Sequence, residues 1–180
     1  MAWVRPTKWF GGESPTAAKW NQELRDNMNA HGIDKPFFAG TIGGAGQSIA
    51  TGTATAITWT TSQDPYTMKS AGTPSRISAP TAWPGLYFVT GYVPFAANAT
   101  GIRRVEIKTS RATAPTSTIS SHITVNTYVL QQCWLNYNGF VLLSGSDYIT
   151  VEAFQNSGAS NTLSSLASIQ VMYVGENEWA

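Results

Sequence analysis

Histidine, cysteine and paired carboxylates carry most enzyme chemistry, and this chain of 180 residues holds two His, one Cys and ten Asp plus Glu. His31 falls at the end of a predicted helix, where a cation and a capping group are both favourable. His122 opens a predicted strand beside Ser120 and Ser121, without the nucleophile-elbow spacing that would set a serine against it. One Cys and two distant His cannot fill a tetrahedral metal shell, so neither a metal nor another cofactor is expected. Asp147 and Glu152 are five apart on one predicted strand and face opposite ways, which rules out an acid/base dyad from that pair alone. Asp147 instead fits the turn over 144–147, and Glu152 the solvent face beside Thr150. Arg103, Arg104, Lys108 and Arg111 form a basic cluster that reads as solvated strand and loop charge. Gly43-Gly44-Ala45-Gly46 lacks the Lys-Ser/Thr and the helix of a phosphate loop. These residues predict no enzyme.

Composition excludes further classes. The net charge is +1 with 12% charged residues, about half the usual share, so no basic field exists to hold nucleic acid. No run approaches the ~18–20 apolar residues of a membrane span. Met1-Ala2-Trp3-Val4-Arg5-Pro6 lacks the apolar core of a secretion signal, which predicts synthesis in a cytoplasm. Cys133, in the apolar run Val129-Leu130-Gln131-Gln132-Cys133-Trp134-Leu135, reads as a small buried hydrophobe.

The chain changes character near residue 40. Before it, charges are dense and mixed; after it they are sparse, and turn residues recur about every ten positions. Ser14 and Pro15 have the types of an N-cap and a first helical residue. The helix they start runs to Ala30, with Gly32 as its stop. Ala17, Trp20, Leu24, Met28 and His31 make a narrow apolar stripe, too thin to hold a lone helix of about four turns. With Trp3, Trp9 and Phe10 ahead of it, this segment predicts a docking element whose contacts are Trp3, Trp9, Phe10, Trp20, Leu24 and Met28. Residues 1–40 are thus an arm, 41–46 a glycine-rich hinge, 47–175 a head and 176–180 a tail.

The head reads as all-β. Strands are predicted over 54–61, 66–69, 75–79, 86–95, 102–109, 121–132, 135–143, 148–155 and 167–174, joined by short antiparallel links. The strand Leu86-Tyr87-Phe88-Val89-Thr90-Gly91-Tyr92-Val93-Pro94-Phe95 is apolar on both faces, whereas a strand with one wet face alternates. It must be covered twice, by its own domain and by another copy. Tyr87, Val89, Tyr92, Phe95, Trp134 and Tyr173 are the expected core or trimer-packing residues. Trp83 and Tyr137 are candidate contacts for a glycan, on which aromatic rings stack.

Three segments carry a family likeness: Gly85-Leu86-Tyr87-Phe88-Val89-Thr90-Gly91, then Gly101-Ile102-Arg103-Arg104-Val105-Glu106-Ile107, then Asp147-Tyr148-Ile149-Thr150-Val151-Glu152-Ala153-Phe154-Gln155-Asn156-Ser157-Gly158. In that order they resemble the C1q/TNF-like jelly roll, over about residues 46–175. The resemblance implies an all-β jelly-roll β-sandwich that trimerises. Acidic clusters that bind calcium in some members are missing, which argues against calcium. The segment from Trp9 through Asn27, with Thr16-Ala17, Asn21 and Leu24-Arg25-Asp26-Asn27, is similar to leaders on structural proteins of tailed bacteriophages.

Together the two resemblances imply a phage virion protein: a homotrimeric, tail-associated or fibre-like head displayed for host attachment, contacting other virion proteins and a host-surface glycan. Two alternatives stand beside it, a capsid decoration protein and an enzyme degrading surface polysaccharide.

Overall fold

The structure, a computed structural model, describes residues 35–110, 119–121 and 132–176. The predicted arm and helix, with Trp3, Trp9, Phe10, Trp20, Leu24, Met28 and His31, lie outside the described residues. So do Arg111, His122, most of the strand expected over 121–132, and residues 177–180.

Twelve strands are found among the described residues: β1 Phe37–Thr41, β2 Gln47–Ile49, β3 Thr55–Ala56, β4 Thr60–Gln63, β5 Ile77–Ser78, β6 Gly85–Phe95, β7 Arg103–Thr109, β8 Ile119–Ser121, β9 Cys133–Leu143, β10 Tyr148–Gln155, β11 Asn161–Leu163 and β12 Ser168–Gly175. They form a seven-stranded sheet in the order β2-β11-β6-β12-β1-β4, with β9 on the other edge of β6. The second, five-stranded sheet runs β3-β10-β7-β8, with β5 also on β10. All strand pairs are antiparallel. The result is an all-β jelly-roll sandwich.

Alternation builds the core. In β6, Tyr87, Val89, Val93 and Phe95 point inward and are fully buried. Across from them Val105 and Ile107 of β7, and Ile149, Val151 and Ala153 of β10, close the core from the smaller sheet. Gly91 takes the remaining inward position because Tyr137 crosses it: a Cβ there would sit 2.5 Å from the Tyr137 hydroxyl. Pro94 is tolerated inside the strand because its own side of the ladder is already interrupted. Its carbonyl accepts from Ser164 N at 2.9 Å, where the β11–β12 turn breaks the pairing.

The sequence reading needs correcting at the front of the sandwich. β1 is hydrogen-bonded between β12 and β4, so the domain starts at Pro36 and not at 47. Phe38 is fully buried within it. Nor are residues 41–46 a hinge. Ile42 N donates to Ala167 O at 3.2 Å, Gly46 N donates to Gly43 O at 3.4 Å, and Gly46 has φ 91°, making a tight turn from β1 to β2.

Two predicted strands also break up. The stretch 54–61 splits into β3 of the smaller sheet and β4 of the larger. In 66–69 the Asp64 carboxylate accepts from Met68 N at 2.7 Å and Lys69 N at 2.9 Å, drawing the chain into a turn.

If β1 is integral to the sandwich, Phe38→Ala will destabilise it by about 3–5 kcal/mol, the usual cost of removing a buried phenyl ring. Urea denaturation checks this, and an unchanged midpoint would return β1 to the arm.

Candidate functional site

Formal charge is partitioned between the two sheets. None of the seven strands of the larger sheet contains Lys, Arg, Asp or Glu. Strand charges among the described residues belong to β7 and β10 of the smaller sheet. On its outer face, Arg104 Nε lies 3.0 Å from Glu106 Oε1, and Lys108 pairs with Glu152 across the β7–β10 ladder. The Arg104 guanidinium also lies over the Phe154 ring, 4.8 Å from its centroid. That face is an ordinary solvated one.

The outer face of the larger sheet is different, and antiparallel register lays it out in rows. Residues directly opposite one another point the same way. Leu86 lies opposite Leu142. The next row is Phe37, Met172, Phe88 and Phe140. Beyond it come Ala39, Gln170, Thr90 and Asn138, then Thr41, Ser168, Tyr92 and Asn136. Trp134, opposite Pro94, closes the face. Rings meet along it: Phe88 and Phe140 have centroids 5.0 Å apart, and Tyr92 and Trp134 5.4 Å. Phe140 is 55% exposed and Trp134 48%. The face is apolar at its ends, polar across its middle rows and free of charge on its strands, and exposed rings of this kind are what interaction surfaces carry.

The expected site residues fall on both sides of the sheet. Tyr87, Val89 and Phe95 are fully buried in the core, and Tyr173 nearly so. Tyr92 and Trp134 lie on the outer face, so Trp134 is not a core residue of the chain. The two ligand-contact candidates are corrected: Trp83 is 8% exposed and Tyr137 1%, leaving neither free to stack on a sugar. Trp83 packs edge-on against Tyr66 at 6.0 Å and Tyr173 at 5.1 Å, and its carbonyl accepts from the Tyr87 hydroxyl at 2.7 Å. Tyr137 donates its hydroxyl to Ser168 O at 2.9 Å. Phe88, Phe140 and Met172, the centre of the exposed apolar row, were not singled out as site residues. Period-two alternation along β9 and β12 would have separated them from the core positions.

Potential catalytic groups are engaged structurally. Asp147 accepts from Ser144 N at 2.8 Å and from the Ser110 hydroxyl at 3.4 Å, within the turn the sequence predicts. Arg103, read as solvated, is instead 3% exposed. It donates to the carbonyls of Thr100 at 2.8 Å, Ile102 at 3.2 Å and Asn98 at 3.4 Å, which clamps the β6–β7 turn. Cys133, partly buried at the start of β9, has its thiol pushed up by burial against a smaller downward pull from Arg103. A raised thiol keeps its proton at neutral pH, and the thiolate is the nucleophilic form. No group of three or more His, Cys, Asp or Glu is placed to hold a metal among the described residues.

No protein-family model matches the chain. A stretch of 79 residues is 35% identical to "Uncharacterized protein L688" of Acanthamoeba polyphaga mimivirus. That stretch is 43% of this chain and 33% of that protein, so the chain spans about a third of the length of the curated relative it matches. Among solved structures, the globular domain of zebrafish complement 1qA superposes with a TM-score of 0.54 at 11% identity, over 79% of this chain and 100% of that one. Murine APRIL gives 0.56 at 13% identity, over 78% and 100% of the two chains. The Eiger TNF of S. frugiperda gives 0.56 at 9%, over 80% and 95%. The sandwich therefore has the C1q/TNF-like jelly-roll fold. The matched sequence belongs to a giant virus.

The buried phenols make stability pH-dependent at the alkaline end. Burial pushes Tyr87 and Tyr137 well above the ordinary tyrosine value, and burial together with the Glu176 charge pushes Tyr173 up to about 12. The unfolded chain releases these protons earlier, so the folded state binds more of them over that window. The contribution of these phenols to stability will be level below the ordinary tyrosine value of about 10 and will fall as pH rises through 12. Denaturation midpoints across this range, followed with tyrosinate absorbance, check the sign.

Proposed function

We propose that this chain is a non-enzymatic structural protein of a virus particle, whose sandwich self-associates as a symmetric homotrimer through the outer face of its larger sheet. The observation that carries the reading is the row Phe37–Met172–Phe88–Phe140 on a seven-stranded sheet without a charged residue. Four strands at about 4.8 Å spacing and nine residues of length make a face of roughly 500 Å² in projection. With side-chain relief added, that approaches the ~800 Å² each partner gives to a stable interface. A neutral apolar face complements itself, which favours a second copy over a charged partner.

Three copies is the number that likeness to C1q and TNF supports. Similarity to a mimivirus protein supports a viral setting. The finer assignment, a tail-associated protein of a tailed phage held by the arm, rests on the leader resemblance of residues 9–27 alone. In this reading the sandwich is displayed on the particle and repeated copies give avidity to weak contacts.

Sedimentation of the full chain tests the assembly. The wild type is expected at three times 19.4 kDa and Phe88→Arg as a folded monomer, because a guanidinium buried without a partner is strongly disfavoured. A monomeric wild type at micromolar concentration, or a Phe88→Arg variant that stays assembled, would overturn it.

A further inference from the structure

The outer face is not uniformly apolar, and its polar part is ordered. Apolar residues hold one end, with Leu86, Leu142, Phe88, Phe140, Phe37 and Met172. Trp134 and Tyr92 hold the other. Between them runs a band of amides and hydroxyls in which Thr90 lies opposite both Gln170 and Asn138. Asn138 and Gln170 are exposed, and neither side chain has a hydrogen-bond partner among the described residues.

We propose that this band, through Asn138 and Gln170, sets the register and copy number of the assembly and not its strength. The inference rests on the reading of this face as the self-association surface. Asn138 on β9 and Gln170 on β12 flank β6 on opposite sides, two strand spacings or about 10 Å apart. A cyclic packing that sets the β9 side of one copy against the β12 side of the next brings Asn138 to Gln170 at every interface. Each amide carries donors and an acceptor, so the two can pair reciprocally.

Sliding the copies along the strands, or closing the ring with a different number, would place these amides against Phe88 or Met172. They would then lose water with nothing in exchange. The apolar ends tolerate many such arrangements, because dispersion and apolar burial have no direction. A single polar layer within an apolar seam selects one arrangement from these alternatives, as a buried Asn does in a coiled coil.

Native mass spectrometry of the full chain, with sedimentation for affinity, tests the band. The wild type is expected to give one oligomer. The double variant Asn138→Leu/Gln170→Leu is expected to associate at least as tightly but to distribute over two or more copy numbers. Asn138→Ala/Gln170→Ala replaces it, with the same readout, if the leucine variant precipitates. A double variant that keeps the single wild-type copy number would overturn the inference while leaving the self-association reading intact, provided Phe88→Arg is monomeric. If Phe88→Arg remains assembled, the face itself has been misread and both fall.

Discussion

Strand β6 is used on all four of its sides, and the rest of the molecule is arranged around that fact. One edge pairs with β12 and β11, the other with β9 along its whole length. One face supplies Tyr87, Val89, Val93 and Phe95 to the core, and the other supplies Leu86, Phe88 and Tyr92 to the exposed surface. Backbone bonds thus fix which residues of β9 and β12 share each row. A one-residue slip on either edge would exchange the two faces and turn the apolar row inward.

The partition of charge follows a simple division of labour. The smaller sheet meets solvent through paired ions, Arg104 with Glu106 and Lys108 with Glu152. These residues are half-buried, and surface ion pairs contribute modestly to stability while keeping a face polar. The larger sheet has no charged residue on its strands, and Phe140 and Trp134 of its outer face are exposed. Meanwhile Arg103, the Asn98–Thr100 turn, Gln155 and Asn156 tie the loops at one end together through side-chain to backbone bonds. The chemistry-bearing residues are spent on architecture.

Much of this was legible in the sequence, and the failures have physical causes. β6 and β10 were readable because their length, β-branched content and turn signals agree. β1 was missed because Phe37-Phe38-Ala39-Gly40-Thr41 follows a charge-dense segment and runs into glycines, and because its place depends on β12, far away in the chain. β11 has three residues, too few for any periodicity. Tyr137 was misassigned although the signal was present: Leu135, Tyr137, Val141 and Leu143 share one face of β9. Trp83 offered no such signal, since its burial is set by Tyr66 and Tyr173, which sequence spacing does not connect to it. Residue type alone did not separate a stacking platform from a core ring.

The absence of charge from seven strands also bears on how a contact made through this sheet would respond to salt. Screening by salt acts on charges, and here it finds none to weaken. Salting-out ions, by raising the cost of apolar surface in water, act in the direction of association. An assembly closed through this sheet would hold as well in brine as in dilute fresh water.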